Sequence, residues 1–293
     1  MNCNTEIKNV FVTSENRDKN LYPHGNSYVL HLTTPIKDVC KVELINASVP
    51  NSIYNLTEGS NVLNVVHNSV TNVFSLTPGH YSGSTLASEI SQTINGLTKM
   101  SCQYIPQFGK MLFTSPTTSV SSFSIQANSE EFAKILGFEN GVINPNEVSP
   151  SVPSDEYVPL YYKHGRYDNN TFLHSTTMCD FHANEGVFLD VEELRTIFNE
   201  DAKSITGDSS GTYSGKNISR SFGLISIDVN SGEIKNFKKN SDYDLCIDYP
   251  QVLNKIDRLT VRWTDRNNDL INFNGINDNS FLLRFHTLRR NLC

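Results

Sequence analysis

The sequence predicts a mainly β protein, a sandwich or barrel interrupted by one compact α+β module. Three observations carry that expectation. Short runs with apolar residues at every second position recur along most of the chain, the spacing of half-buried strands. Helical spacing is confined to two stretches between Leu76 and Gly137. Gly, Asn, Pro and Ser punctuate the runs, as they do in sandwiches and barrels of many short strands.

Taken in order, "SYVLHLTTP" alternates Tyr28, Leu30 and Leu32 against Val29 and His31, and Pro35 is expected to stop it. "DVCKVELINASVP" follows, with Cys40, Val42 and Leu44 inward and Lys41 and Glu43 outward. Further strands are expected at 61–67, 72–76, 111–114, 123–126, 186–191, 223–229, 243–248, 258–264 and 280–286. In "PGHYSGSTLASEISQTINGL", Leu86, Ile90 and Ile94 form one helical stripe, with Ser84 as N-cap and Gly96 at the C-terminal end. In "NSEEFAKILGF", Asn128 or Ser129 caps and Glu130 and Glu131 favour the positive end of the helix dipole. Phe132, Ile135 and Leu136 form its buried face, and Gly137 ends it. The Pro-, Asn- and Ser-rich segment from Asn140 reads as a linker out of this module, and the polar stretch 199–221 as an exposed loop.

Composition narrows the function classes. The chain has 293 residues and a formal charge of −7, without a basic block suited to nucleic acid. No run reaches the roughly 20 apolar residues of a membrane span, and the N-terminus lacks a signal-peptide pattern. The 6 cysteines are scattered without a C-x-x-C pair and are expected as free thiols.

Four motifs invite a chemical reading, and each has an ordinary one. Asp265, Asn267 and Asp269 imitate the start of a calcium loop, but Leu270 and Ile276 stand where it needs Gly and Glu. A turn is expected, between strand-like runs ending at Thr264 and restarting at Ile271. "GDSSG" offers Ser209 as a nucleophile but lies in a polar loop, without the strand and helix of a nucleophile elbow. Asp190 and Glu192 in "VFLDVEEL" could serve as paired carboxylates for glycoside hydrolysis; the solvated face of a strand is favoured instead. His174, Cys179 and His182 fit no common zinc spacing. No catalytic, cofactor-binding or metal site is expected.

Several stretches in succession resemble a known group. "V..VELI.AS.PN..YN" at Val39–Asn55, "PG.Y....L...I" at Pro78–Ile94, "AKILGF" at Ala133–Phe138, "VFLDVEEL" and "IDRLTVRWTDRNNDLINFNGINDNSF" follow in order. Together they resemble minor capsid and penton-type proteins of nucleo-cytoplasmic large DNA viruses. Asn279 departs from the pattern, where His is expected before Ser-Phe. The resemblance implies a jelly-roll β-sandwich. Residues 1–56 would supply the N-terminal arm and first strands, 57–155 an inserted α+β module, and 156–293 the remaining strands and a basic end. It further implies a non-enzymatic virion protein, assembled in the host cytoplasm, that forms the five-fold vertex or cements capsomers. Its partners would be the major capsid protein and other minor capsid proteins, or four further copies of itself in a homopentamer. Contact candidates are Tyr161, Tyr162 and Arg166 in "LYYKHGRY", with Arg284, Arg289 and Arg290 at the C-terminal end. The rival class is a carbohydrate-binding or carbohydrate-cleaving sandwich. It needs an exposed aromatic platform, whereas the alternation around Trp263, the sole tryptophan, places that residue in the core.

Overall fold

The computed structural model describes residues 5–67, 70–116, 123–138, 142–143, 164–167, 170–181, 186–195, 221–266, 268–276 and 278–289. The chain divides into two compact units, Met1–Ile53 with Asn184–Cys293, and Tyr54–Ala183. The first unit opens with β1 (Thr5–Thr13) and β2 (Ser27–Pro50). The second holds β3 (Val62–His67), β4 (Val70–Ser75), α1 (Gly83–Thr98), β5 (Ser101–Ile105), β6 (Lys110–Pro116), β7 (Phe123–Ala127) and α2 (Glu130–Leu136). It closes with β8 (Val142–Ile143), β9 (His164–Tyr167) and β10 (Asn170–His174). The chain then returns to the first unit through β11 (Gly186–Val191), β12 (Gly223–Ser226), β13 (Ile234–Lys238), β14 (Leu245–Thr264) and β15 (Ser280–Leu288).

The first unit is a sandwich-like antiparallel body, mainly β as its alternation demands. Its strand order is β1-β15-β2-β14-β11-β12, with β13 also on β2. Pro35 does not end the strand. β2 runs 24 residues through it, because the ladder to β14 is interrupted there, between the pairs His31↔Arg258 and Ile36↔Ile256. A proline, which has no N–H to donate, is tolerated at such a break. Likewise the two runs expected at 243–248 and 258–264 are one strand with a bulge between Asp248 and Leu253. Inward side chains Val42, Leu44, Leu259, Val261, Trp263, Phe281, Leu283 and Phe285 are fully buried.

One polar residue joins four parts of this core. Asn279 is 2% exposed. Its Oδ1 accepts from the Tyr28 hydroxyl at 3.0 Å and the Trp263 indole N–H at 2.9 Å. Its Nδ2 donates to the Gly25 carbonyl at 2.8 Å, and its backbone N–H donates to the Ser14 hydroxyl at 2.9 Å.

The second unit has two four-stranded sheets, β5-β6-β10-β9 and β4-β3-β7-β8. Its core gathers Leu63, Val65, Met111, Phe113 and Ile125 from the sheets with Leu86, Ile90, Ile94, Phe132 and Leu136 from the helices. The expected split placed residues from 156 onward with the sandwich; β10 instead pairs β6, and β9 pairs β10, within this unit. The helices form as their stripes require, with shifted ends. Ser82 rather than Ser84 caps α1, in a capping box with Thr85, and Gly96 lies inside a helix that ends at left-handed Lys99. Ser129 caps α2, and Gly137 at φ +79° ends it. A Cβ on Gly137 would lie 2.6 Å from the Thr177 carbonyl oxygen. Gly137→Ala is therefore expected to cost about 2 kcal/mol, seen as a lower thermal midpoint by circular dichroism.

Candidate interaction surface

The clearest candidate for an interaction surface is the outer face of β1 and β15. Register pairs Ile7 with His286, Asn9 with Arg284 and Phe11 with Leu282, and directly opposed residues share a face. Because β1 alternates inward Val12 with outward residues, Ile7 and Phe11 stay 54% and 64% exposed. Arg284 lies between them, its Nε 3.4 Å from the Asn9 side-chain oxygen. Along the same face β15 pairs Arg284 with Glu43 and His286 with Lys41 on β2.

Glu43 anchors that face. It points outward, as the alternation predicts, yet it is 6% exposed. Lys239 donates to it at 2.7 Å, His286 Nε2 lies 3.1 Å away and Lys41 Nζ 3.4 Å. Burial alone would raise its pKa. Hydrogen bonds from Lys239 and His286, and the charges beside it, outweigh burial and hold it at about 2. The result is a rigid polar floor beside an exposed apolar pair.

The other contact candidates divide. Arg289 is exposed just beyond β15. Arg166 belongs to β9, opposite Thr171. Tyr161, Tyr162 and Arg290 lie outside the described residues. Of the contact candidates read from the sequence, Arg284 lies on this face; Ile7 and Phe11 beside it are not among those candidates. Their signal is the alternation in "TEIKNVFVT", whose apolar positions stand among polar residues.

Among the described residues the catalytic motifs do not assemble. Asp190 is 4% exposed rather than solvated. Arg195 grips it with two hydrogen bonds, from Nε at 2.8 Å and Nη2 at 2.5 Å. Arg262, its cross-strand partner, adds a 3.7 Å contact. A carboxylate so neutralised is structural. Glu192 starts a 3-10 turn rather than extending the strand, and Glu193 accepts from the Thr260 backbone at 2.7 Å. Trp263 is fully buried, which leaves it no part in a sugar platform.

His174 is buried, and burial first, then the charge of Lys110, lowers its pKa to about 4. Burial raises the Cys179 thiol to about 11. Ser209 and His182 lie outside the described residues. Among the described residues no group of three His, Cys, Asp or Glu could hold a metal, and no helix is long and apolar enough to cross a membrane. Among the described residues, Cys102, Cys179 and Cys246 are free thiols. The 265–269 segment is the expected turn: Asn268 has φ +61°, and the Asp269 N–H donates to the Asp265 carboxylate at 2.9 Å. Asn267 lies outside the described residues. Beyond the turn only a bridge, Thr264↔Leu270, forms in place of a second strand.

A family model described as a family of unknown function (DUF5901) matches residues 3–184. No curated protein matches the chain. Among solved structures, the mavirus penton protein aligns at 8% identity and a TM-score of 0.49, over 96% of this chain and 99% of that one. A chain in the structure of the Sputnik virophage aligns at 14% identity and a TM-score of 0.48, over 97% and 98%.

Proposed function

Because the chain belongs to the DUF5901 family of unknown function, which brings no activity with it, we propose from its own residues and surface that it is a non-enzymatic virion structural protein. It is a minor capsid component that forms the five-fold vertex or cements major-capsid capsomers, and it works by binding. The ordered sequence resemblance supports the partner class: the major capsid protein, other minor capsid proteins, or further copies of itself in a closed ring of five.

The observation that carries the binding role is the β1–β15 face, where exposed Ile7 and Phe11 flank Arg284. Aromatic, aliphatic and arginine side chains on a rigid frame concentrate binding energy at protein contacts. Sedimentation of the purified protein, alone and with the major capsid protein of the same virus, tests this. A ring or a mixed complex is expected. Ile7→Ser with Phe11→Ser is expected to weaken association at least tenfold while changing stability by about 0.5 kcal/mol or less. A monomer that ignores the capsid protein removes the proposal.

A further inference from the structure

We infer that the first unit holds an open strand slot, between the free edge of β1 and the first half of β2, that accepts an extended tail from a partner polypeptide. This goes beyond the virion reading and does not depend on it.

The slot is a groove of about 820 Å³ lined by Lys8 to Val12 on one side and Val29 to Thr34 on the other, with Ile36 and Leu259 among its walls. The lining residues are consecutive in both strands. A strand shows alternate residues from its face and consecutive residues from its edge, so two edges border the groove. Both edges are unpaired among the described residues. β1 ends the sheet and bonds only β15. β15 meets β2 only from Val39 to Ser48, and β14 bonds the opposite edge of residues 27–31.

Natural edge strands are usually short, charged, bulged or interrupted by proline. β1 carries Glu6 and Lys8 but has no bulge or proline, and from Asn9 to Thr13 its edge is uncharged and in unbroken register with β15. Such an edge is a template for strand addition.

The geometry also selects the occupant. A strand lying between two edges needs both of its own edges free. A strand already inside another sheet has lost one, so a tail or linker fits and an edge-to-edge dimer does not. Residues 8–12 and 29–34 give room for about five or six extended residues at roughly 3.3 Å each. Lys8 and Asp18 are the only lining residues with a fixed charge, one of each sign, and Val10, Leu30 and Leu32 are half-buried. The matching segment is uncharged, with apolar side chains at alternate positions.

The test uses the whole protein and the blocked peptide acetyl-Thr-Val-Thr-Val-Thr-Val-amide, fluorescently labelled for anisotropy. Saturable binding is expected, with hydrogen exchange slowed at least tenfold in both 8–12 and 29–34. Replacing the third residue of the peptide by proline should weaken binding at least tenfold. Val10→Lys with Leu32→Lys should do the same while the unfolding midpoint holds. If that variant fails to fold, the exchange pattern of the unaltered protein decides. No binding, protection of one strand only, or indifference to the proline overturns the slot. None of these results bears on assembly with the capsid protein, which sedimentation reads separately.

Discussion

Asn279→Leu is expected to lower the stability of the sandwich by about 3 to 5 kcal/mol, a large share of what a domain of this size has in hand. Leucine is close in volume, so the loss comes from hydrogen bonding rather than from a cavity. The Tyr28 hydroxyl and the Trp263 indole N–H would both lose their acceptor, and the Gly25 carbonyl a donor. Tyr28 and Trp263 are fully buried, so water cannot replace Asn279 without opening the core. Urea unfolding followed by the fluorescence of Trp263, the sole tryptophan, reads this unit directly. Tyr28→Phe alone should cost only about 1 kcal/mol, because Trp263 still satisfies Asn279. The double variant should cost less than the sum, since its orphaned hydroxyl is gone. A loss below about 1 kcal/mol for Asn279→Leu would show that the hub does not hold the strands together.

Acid should weaken the same unit through Glu43. Its folded pKa of about 2 lies below the ordinary glutamate value of 4.5, so the folded form binds the proton less readily than the unfolded chain. The stability it contributes is complete above about pH 4.5 and disappears as pH falls through the folded value of about 2. The pKa difference corresponds to about 3 kcal/mol. Glu43→Gln is expected to remove this acid dependence and to cost about 2 to 4 kcal/mol at neutral pH, because Lys239 and Lys41 lose their counter-charge. Urea midpoints at pH 7, 5, 4 and 3 measure both effects. An unchanged acid limb in the variant would show that other carboxylates govern acid unfolding.

These two residues also mark where reading the sequence stopped. Alternation around Glu43 puts it on the face opposite Val42 and Leu44, but carries no sign that it is buried there. Its burial depends on Lys239 and His286, 196 and 243 positions away. Asn279 stood out only as a departure from a resembling pattern. Its role rests on groups 16 to 265 residues distant along the chain. Asp190 shows the same limit only in part: Arg195, which holds it with two hydrogen bonds, is close in sequence, and Arg262 alone arrives by strand pairing.

Local rules fared better where local forces decide. The α2 cap at Ser129 and stop at Gly137 lie where a short side chain and a left-handed backbone put them. Trp263 is in the core, as the alternation around it required.

The sequence by itself determined the mainly β class, the two helices and the inward face of most strands, since backbone preference and apolar period act over a few residues. Only the tertiary structure decided which strands pair and that Pro35 lies within a continuous β2. It also decided which carboxylates are buried as ion pairs and which edges stay open. Pairing and desolvation are settled between residues far apart in the chain, and a linear pattern does not record which distant group arrives.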